Sequence, residues 1–497
     1  MLAVSHAEVR GPSVELIKPR EECGVVGIFA PGQPVAHLAY LGLYSLQHRG
    51  QESAGLAVGN RRSVTVVKEM GLVAQALDER VLAALDGDIS IGHTRYSTTG
   101  SSSWRASQPF YRDVGDLEFA LAHNGNLVNT AELARQAGML PGMIVSDTDL
   151  VAELLAQELA ASPHSPGREM QEALFEVLPR LEGGFSMVAV DAGHLYAMRD
   201  PRGFWPLCLG ELDSGGWVVA SESPALDVIG ARFLREIAPG EMVVIDDSGV
   251  ASHRPFAGPA PDPALCVFEF VYFSRPDTVL LGANVHRARQ NMGEALARQA
   301  PVDADMVMPV PESGIPAAEG FARASGIPYR DGLVKNRYIG RTFIAPTPEM
   351  RSRAVRMKLN PIRANIEGRR LVVVDDSIVR GTTTRAMVRM LYDSGAAEVH
   401  LRISSPPYRW PCFYGMDTGS RSELLAANLD VEAMSEFLGV RSLAFLDREG
   451  LLGSIENDGG GFCTACLDGR YPVALPEELG EEIHDRGTEV PVAVGEP

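Results

Sequence analysis

The stretch from Leu371 to Thr384, LVVVDDSIVRGTTT, constrains the fold more than any other part of the chain. Four apolar residues, mostly β-branched, are typical of a strand that is buried on both faces. Two carboxylates and a glycine-containing loop follow. The next stretch has the i, i+3, i+4 spacing of an amphipathic helix at Met387, Met390 and Leu391, and a second apolar run comes after it. This order predicts a βαβ unit, and therefore a parallel sheet, in the second half of the chain.

The loop after the first of these strands has the composition of a phosphate site. Ligands of parallel sheets bind at the carboxyl ends of the strands, where a helix N-terminus presents unpaired N–H groups. Gly381 allows a ligand to approach the backbone, and Thr382–Thr384 add hydroxyl donors. Asp375 and Asp376 would repel an anion unless they hold sugar hydroxyls or a Mg²⁺ that neutralises the phosphates. The alternative is an ordinary βα turn whose threonines cap the helix; the chain has no Walker A motif.

The first half of the chain predicts a different architecture. Short β-type runs are separated by Gly, Asn and Asp turns, and helical stretches lie among them at Asp149–Ala161 and Met170–Leu181. This pattern predicts stacked sheets flanked by helices. The segment 252–263, SHRPFAGPAPDP, is rich in Pro and Gly and predicts a domain boundary. The chain is therefore divided into residues 1–22, 23–255, 256–472 and an acidic tail, 473–497.

The overall composition excludes several classes of protein. A net charge of −19 disfavours a nucleic-acid binder, because phosphate binding requires an excess of Lys and Arg. No segment has about 18 consecutive apolar residues, so no membrane span is expected. Residues 1–22 lack the apolar core of an export signal. Six cysteines in 497 residues do not suggest a disulfide scaffold, and we expect a cytoplasmic protein whose cysteines serve chemistry or metal binding.

Motifs of both halves resemble known catalytic domains. The first half contains, in order, CGVVGIFA, LQHRGQESAG, HTRYSTTG and AHNGNL. These resemble the glutaminase domain of class II glutamine amidotransferases, N-terminal nucleophile hydrolases in which a cysteine attacks the side-chain amide of glutamine. The stretch Leu371–Thr384 resembles the loop of type I phosphoribosyltransferases that binds phosphoribosyl pyrophosphate (PRPP). The resemblance implies an α+β, four-layer αββα glutaminase domain followed by a parallel-sheet α/β phosphoribosyltransferase domain.

Cys23 opens the first of these motifs, and its position has a chemical reason. A free thiol has a pKa of about 8.5, whereas an α-amino group, with a pKa of about 7.7–8.0, can accept its proton near neutral pH. An internal cysteine has only an amide nitrogen, which is no base. We therefore predict that residues 1–22 are a propeptide. Two alternatives remain open: Cys23 is a buried core thiol, or it forms a conventional dyad with His48, His93 or His123.

The resemblance implies roles for further residues of the first half. Arg95 pairs with the α-carboxylate of glutamine, a task that suits a guanidinium, unless it forms a structural ion pair. Asp149 receives the α-ammonium, and Asp147 is the rival for that role. Asn124 and the backbone N–H of Gly125 form the oxyanion hole of the tetrahedral intermediate.

In the second half, the resemblance assigns the PRPP site. The predicted PRPP-binding residues are Asp375, Asp376, Ser377, Arg380, Gly381, Thr382, Thr383 and Thr384. One Mg²⁺ per subunit would be held by Ser313, Asp375 and Asp376. The stretches 267–278 and 308–318 resemble the entry to the transferase domain. The basic stretch Lys335–Pro361 resembles the loop that closes over PRPP, and its alternative is a solvated basic face.

Together the two domains resemble the amidophosphoribosyltransferase family, from Cys23 to about Tyr471. The resemblance implies that ammonia from glutamine displaces pyrophosphate from C1 of PRPP, giving 5-phosphoribosylamine in the first step of purine synthesis. It also implies inhibition by purine nucleotides, a homotetramer, and no nucleic-acid or membrane partner. An aminosugar synthase would need a sugar-isomerase domain instead. A regulatory protein that binds PRPP only as a signal would not need the glutaminase motifs.

Four of the other cysteines form a candidate metal site. Cys463 and Cys466 make a C-x-x-C motif, and with two distant cysteines zinc is the default interpretation. One branch of the amidophosphoribosyltransferases combines a propeptide with a [4Fe–4S] cluster, and the leader and the cysteine contexts resemble that branch. The resemblance thus implies one [4Fe–4S] cluster per subunit, held by Cys266, Cys412, Cys463 and Cys466. Cys208 has no motif around it and is interpreted as a packed thiol.

Overall fold

The computed structural model describes residues 23–96, 103–139, 144–161, 164–336, 359–416, 418, 420–457, 461–476 and 479. The chain forms two compact units. The first comprises the described residues of Pro19–Ala288, Trp410–Arg421 and Ile455–Pro497, and the second those of Arg289–Arg409 and Ser422–Ser454. The predicted propeptide, residues 337–358 of the basic stretch and most of the acidic tail lie outside the described residues.

Two antiparallel sheets form the centre of the first unit. Their strands are β1 (Gly24–Phe29), β2 (Ser53–Gly59), β3 (Val64–Met70), β4 (Ile89–Arg95), β5 (Phe110–Val114), β6 (Leu117–Leu127), β7 (Gly183–Val190), β8 (Leu195–Arg199), β9 (Cys208–Leu212), β10 (Trp217–Ala220), β11 (Ala231–Glu236), β12 (Met242–Asp246) and β13 (Gly249–His253). The seven-stranded sheet has the order β11-β9-β10-β1-β4-β2-β3. The six-stranded sheet has the order β13-β12-β8-β7-β6-β5.

Helices cover the outer face of each sheet. They are α1 (Val35–Ser45), α2 (Val73–Ala76), α3 (Glu79–Ala84), α4 (Thr130–Gln136), α5 (Asp147–Ala161), α6 (Glu169–Val177) and α7 (Ser223–Ile229), with 3₁₀ turns at Trp104–Ala106 and Leu178–Arg180. One core cluster joins α1 and α7 to the seven-stranded sheet, and another joins α5 and α6 to the six-stranded sheet. The helices predicted at Asp149–Ala161 and Met170–Leu181 thus correspond to α5 and to α6 with its 3₁₀ turn.

Strand β1 shows why these layers form. Its side chains alternate between the two faces of the sheet. Val26 and Ile28 belong to the cluster that packs on α1, whereas Val25 and Phe29 belong to a core that also contains residues of β6, β7 and β12. Both faces of the strand are therefore apolar. The result is the predicted four-layer αββα arrangement, with the main core between the two sheets.

A set of short elements leads out of these sheets. They are β14 (Leu265–Cys266), a π-helical turn (Glu269–Phe273), β15 (Val279–Leu280), β16 (Ala283–Asn284) and α8 (Val285–Gln299). β15 and β16 pair with each other in antiparallel orientation.

The second unit contains the predicted parallel sheet. Its elements are β17 (Met306–Pro309), α9 (Ile315–Ser325), β18 (Leu333–Lys335), β19 (Leu359–Pro361), α10 (Arg363–Ile366), β20 (Arg370–Asp375), α11 (Thr382–Asp393), β21 (Glu398–Ile403), α12 (Leu425–Asn428), α13 (Val431–Leu438), β22 (Ser442–Phe445) and α14 (Arg448–Gly453). The sheet has the order β17-β20-β21-β22, and all of its pairings are parallel. β18 and β19 pair separately in antiparallel orientation.

Strand β20 and helix α11 confirm the predicted βαβ unit. Leu371, Val372, Val373 and Val374 are fully buried, as expected for a central strand covered on both faces. The apolar face of α11, at Met387, Met390 and Leu391, is buried in the same core. The last elements of the chain are β23 (Phe462–Cys463) and α15 (Ala465–Asp468), which belong to the first unit. Within the described ranges, no helix combines the length and the apolar character needed to cross a membrane.

Candidate active sites

Cys23 lies immediately before β1, which is flanked by β4 and β10 in the seven-stranded sheet. The residue is 9% exposed. Its Sγ accepts a hydrogen bond from the Tyr96 N–H and donates to the Tyr96 carbonyl, each at 3.4 Å. The following residue, Gly24, has no room for a side chain, since a Cβ there would lie 2.8 Å from Thr94 Oγ1. The thiol is therefore held next to the end of β4, where the predicted Arg95 lies.

Arg95 is the last residue of β4 and is buried. Its Nη1 donates to Glu52 Oε2 at 3.1 Å, and both side chains are about 5% exposed or less. The structural ion pair that was the alternative role of Arg95 is therefore present, and its partner is Glu52. A guanidinium carries five N–H donors, so this pair leaves capacity for a substrate carboxylate. The two roles of Arg95 are compatible.

Asn124 and Gly125 lie near the end of β6, in register with Ser186 and Phe185 of β7. Asn124 is fully buried, and neither its Oδ1 nor its Nδ2 has a hydrogen-bond partner among the described residues. Gly125 has φ +140°, and a Cβ there would lie 2.0 Å from the Gly184 carbonyl oxygen. Buried polar groups are normally paired. An unpaired buried amide next to a glycine whose backbone conformation other residues rarely adopt has the character of a ligand-binding group.

The two candidate carboxylates on α5 have different partners. Asp147 Oδ2 accepts from the Leu127 N–H at 3.3 Å and lies 3.4 Å from His123 Nδ1, so it contacts β6 on both sides of Asn124 and Gly125. Burial opposes ionisation of Asp147, but His123 and the backbone N–H groups hold its pKa below the usual value. Asp149 instead accepts from Arg112 Nη2 at 2.7 Å and from the Val145 N–H. It also lines a surface cleft of about 820 Å³.

The three histidines considered as partners of Cys23 are engaged elsewhere. His48 Nε2 lies 2.6 Å from Glu222 Oε1, and Glu222 also pairs with the buried Arg49. His93 Nε2 donates to the His123 carbonyl at 3.1 Å. Burial, followed by the nearby Arg95, lowers the pKa of His93 to about 3, which makes it a poor base. His123 faces Asp147.

Two supporting residues are outside the predicted set. Glu52, within LQHRGQESAG, pairs with Arg95, and the Gln108 side chain accepts from the His123 N–H at 2.7 Å. The need of a buried arginine for a carboxylate could have suggested Glu52. No local pattern indicates Gln108, because its contact depends on how β5 and β6 are paired.

The acidic pair lies at the carboxyl edge of the parallel sheet. Asp375 ends β20, and Asp376 and Ser377 follow it; all three are buried. The Asp376 N–H donates to Asp375 Oδ1 at 3.0 Å, and Ser377 Oγ donates to Asp376 Oδ1 at 2.6 Å. The carboxylates are thus fixed where ligands of parallel sheets bind.

The rest of the predicted PRPP site lies around this edge. Gly381 has φ +73° and precedes α11, whose first turn is formed by Thr382–Thr384. Arg380 pairs with Glu423. Ser313 follows β17, the strand next to β20 in the sheet. The adjoining backbone is close, since a Cβ at Gly314 would lie 2.5 Å from the Val374 carbonyl oxygen. The structure therefore brings the loops after β17 and β20 together.

The four cysteines assigned to a cluster gather within the first unit. β14 and β23 pair in parallel with Cys266 opposite Cys463, and the Trp410 N–H donates to the Cys466 carbonyl at 3.0 Å. Burial raises the pKa of Cys266 well above its usual value, and the other three thiolates raise it further. The strand pairing brings Cys266 next to Cys463, and Cys466 follows three residues later. As they stand, no three or more His, Cys, Asp or Glu side chains of the described part are arranged to hold a metal ion.

Cys208 is not part of this group. It packs in the core beneath α1 and α7, and its Sγ donates to the Ala220 carbonyl at 3.3 Å.

Comparison with known proteins matches both halves of the chain. Residues 93–228 match a family model described as a glutamine amidotransferase domain, and residues 284–404 match a phosphoribosyl transferase domain. The amidophosphoribosyltransferase of Mycobacterium tuberculosis is 49% identical over 95% of this chain and 90% of its own length.

Two solved structures share the fold over nearly the whole chain. One is described as the allosteric regulatory enzyme of purine biosynthesis, with a TM-score of 0.84 and 42% identity, covering 92% of this chain and 97% of its own. The other is the glutamine PRPP amidotransferase of B. subtilis complexed with ADP and GMP, with a TM-score of 0.84 and 41% identity, covering 92% and 98%. Because both domain models match and relatives at this identity align nearly from end to end, the chain belongs to the amidophosphoribosyltransferase family of glutamine-dependent pentosyltransferases.

Proposed function

We propose that Cys23, exposed as the first residue by removal of residues 1–22, is the nucleophile of the glutaminase reaction. The single observation that best supports this site is the buried, unpaired amide of Asn124 next to Gly125. The α-amino group takes the thiol proton, and Sγ forms a bond to the side-chain carbonyl carbon of glutamine. The resulting oxyanion accepts hydrogen bonds from Asn124 Nδ2 and the Gly125 N–H. Ammonia leaves with the returned proton, and water then hydrolyses the thioester to glutamate.

Glutamine would be oriented by its own charges. Its α-carboxylate pairs with Arg95, whose position the buried Glu52 maintains. Its α-ammonium requires a carboxylate, and both candidates on α5 are kept. The contacts of Asp147 with β6 favour it, because they hold it near Asn124, whereas Asp149 is engaged by Arg112. The glutamine KM of D147N and D149N distinguishes the two candidates, because replacing the residue that binds the ammonium should raise KM.

At the second site, ammonia would attack C1 of PRPP and pyrophosphate would leave. The N–H groups and hydroxyls of Gly381 and Thr382–Thr384 receive the 5-phosphate at the α11 N-terminus. Ser377 and Arg380 complete the loop. Asp375 and Asp376 hold the ribose hydroxyls, and with Ser313 they offer the oxygen ligands that suit one Mg²⁺. A bound Mg²⁺ would neutralise the pyrophosphate leaving group. The basic residues of 335–358 would cover the pyrophosphate.

We also propose that Cys266, Cys412, Cys463 and Cys466 hold a [4Fe–4S] cluster, one per subunit, which places this chain in the branch of the family with a propeptide. Four cysteine sulfurs, three of them on buried residues, are the donor set of an iron–sulfur or zinc site. Bound there, the group would have a structural role, tying 410–421 and 455–479 to β14. Iron and sulfide analysis of anaerobically purified protein tests this assignment, and zinc without sulfide would overturn it.

The remaining assignments concern organisation and regulation. We propose a propeptide at 1–22, a glutaminase domain at 23–255, a transferase domain with the cluster cysteines at 256–472, and an acidic tail at 473–497. The compact units divide the chain differently, because residues 256–288, 410–421 and the described part of 455–472, with all four cysteines, belong to the first unit. Because the B. subtilis relative was solved with ADP and GMP, we propose inhibition by purine nucleotides. We further propose a cytoplasmic homotetramer that acts on glutamine and PRPP, without nucleic-acid or membrane partners.

One assay tests the two proposed sites together. The mature protein, purified anaerobically, is given glutamine with and without PRPP and Mg²⁺, and glutamate and pyrophosphate are followed in parallel. Equal, PRPP-dependent release of both supports both sites. Glutamate without pyrophosphate would overturn the PRPP assignment, and pyrophosphate only with added ammonia would overturn the assignment at Cys23.

A further inference from the structure

His123 has an unusual environment for a residue with no assigned role. It precedes Asn124 on β6, and its side chain is 1% exposed. Its Nδ1 faces Asp147 Oδ2 at 3.4 Å and Thr148 Oγ1 at the same distance. Its Nε2 has no hydrogen-bond partner among the described residues. Buried polar atoms are normally hydrogen-bonded, so the unpaired Nε2 calls for an explanation.

The backbone of His123 is also held on both sides. Its N–H donates to Gln108 Oε1 at 2.7 Å, and its carbonyl accepts from His93 Nε2 at 3.1 Å. Side chains two residues apart on a strand share a face, so the imidazole lies on the same side of β6 as Gly125. A Cβ at Gly125 would lie 2.9 Å from His123 Nε2. The ring is therefore packed directly against the residue whose N–H is assigned to the oxyanion.

Asp147 connects this ring to Leu127, the last residue of β6. The same oxygen, Oδ2, that faces His123 Nδ1 also accepts from the Leu127 N–H at 3.3 Å. The carboxylate thus contacts β6 both before and after Asn124 and Gly125. In this arrangement Nδ1 of His123 faces the Asp147 carboxylate, and Nε2 lies against Gly125.

We propose that His123 is a positioning residue of the glutaminase site: its imidazole, fixed by Asp147, sets the backbone at Gly125 and the direction of the Asn124 amide. This rests on the proposed oxyanion role of Asn124 and Gly125. The consequence is specific. A donor at the Nδ1 position of residue 123 is required for the chemical step, whereas glutamine binding through Arg95 does not depend on it.

Two amide variants of His123 separate the ring nitrogens. The Nδ2 of H123N occupies roughly the place of Nδ1 and can still donate to Asp147, while H123Q places its amide near Nε2. We expect H123Q to lose about 10- to 100-fold in kcat for glutamine hydrolysis, as misplacement of catalytic groups does. Any rise in its KM for glutamine should be smaller than the fall in kcat, and H123N should recover most of the lost kcat. Pyrophosphate release from PRPP with ammonium chloride instead of glutamine serves as the control for folding.

The outcomes distinguish the positioning role of His123 from the oxyanion role of Asn124. Equal kcat losses in H123N and H123Q, a loss in neither, or a change confined to KM would each overturn the positioning role. N124A is measured in parallel. If N124A keeps its kcat, the oxyanion assignment itself fails; if N124A loses kcat while H123Q does not, only the role of His123 fails. Alkylation of Cys23 by iodoacetamide, which needs no oxyanion site, should proceed at the parental rate in H123Q, and a slower rate would attribute its defect to the thiol instead.

Discussion

Replacing Asn124 by leucine should stabilise the folded protein and lower its glutaminase activity. Asn124 is fully buried, and neither polar atom of its amide is paired in the described structure. Leaving a buried polar group unpaired costs about 1–3 kcal/mol. Leucine has a similar volume and no polar atoms, so it removes that cost. At about 2–4 °C per kcal/mol for a unit of this size, the melting temperature should rise by roughly 2–12 °C.

The same substitution removes one donor from the oxyanion site. Loss of one such donor lowers kcat by about 10²–10³, or about 2.7–4 kcal/mol of transition-state stabilisation. Thermal melting and glutaminase kinetics of N124L are therefore expected to move in opposite directions. N126L is the matched control, because Asn126 Nδ2 donates to the Phe413 carbonyl at 2.9 Å and its loss should lower stability. A destabilised N124L, or one with parental kcat, would refute the reasoning.

Three further substitutions test other parts of the structure. R49M should cost about 3–5 kcal/mol at pH 7, because Arg49 lies between the buried carboxylates of Glu222 and Glu269. Burial opposes ionisation of Glu222, but Arg49 and His48 hold its pKa well below the usual value. Without Arg49 the pKa of Glu222 rises, and the carboxylate becomes protonated as the pH falls. The loss of folding stability in R49M should therefore shrink between pH 7 and about pH 4.5. G125A should abolish glutamine hydrolysis, since its Cβ would lie 2.0 Å from a carbonyl oxygen. D375N should lower ammonia-dependent pyrophosphate release by roughly 100-fold, as misplacement of a bound substrate does.

Each of these has a matched control or a contrary outcome. R61M removes an arginine that also bridges two carboxylates, but one that is 34% exposed, and it should cost less than about 1 kcal/mol in a thermal melt. G115A also has positive φ but nothing within 4 Å of its Cβ, so it should cost only about 1–2 kcal/mol. An R49M deficit that is independent of pH would contradict the ionic argument. Full activity of D375N would contradict the assigned edge of the sheet.

The parts of the fold that could be predicted are those encoded over short distances. The order of strand, acids, loop and helix in Leu371–Thr384 specifies its own geometry, because a buried strand and an amphipathic helix have different periods. The structure reproduces it down to the buried face of α11. The stretch FSMVAVDAGHLYAMRD, Phe185–Asp200, has the composition of one continuous β-type run. It forms β7 and β8, because Asp191 accepts from the N–H groups of Gly193 and His194 and closes a turn between them.

The parts that could not be predicted depend on pairings between distant strands. Glu52 reaches Arg95 only because β2 lies next to β4, and Asp147 reaches His123 only because α5 packs on β6. Motifs identified Arg95 and Asn124, but no spacing along the chain distinguishes Asp147 from Asp149, which are one helical turn apart or less. The three-dimensional contacts separate them, since one carboxylate faces β6 and the other faces Arg112.

The short parallel pair of β14 and β23 has a consequence for how the protein is made. It joins Leu265 and Cys266 to Phe462 and Cys463, so the first unit includes residues from both ends of the described chain. On a ribosome, β14 emerges long before its partner strand, β23, is translated. The first unit therefore lacks β23, the partner of β14, until the parallel-sheet unit has been synthesised. A stop codon shortly before Phe462 would therefore damage the first-made unit as well as the end of the protein.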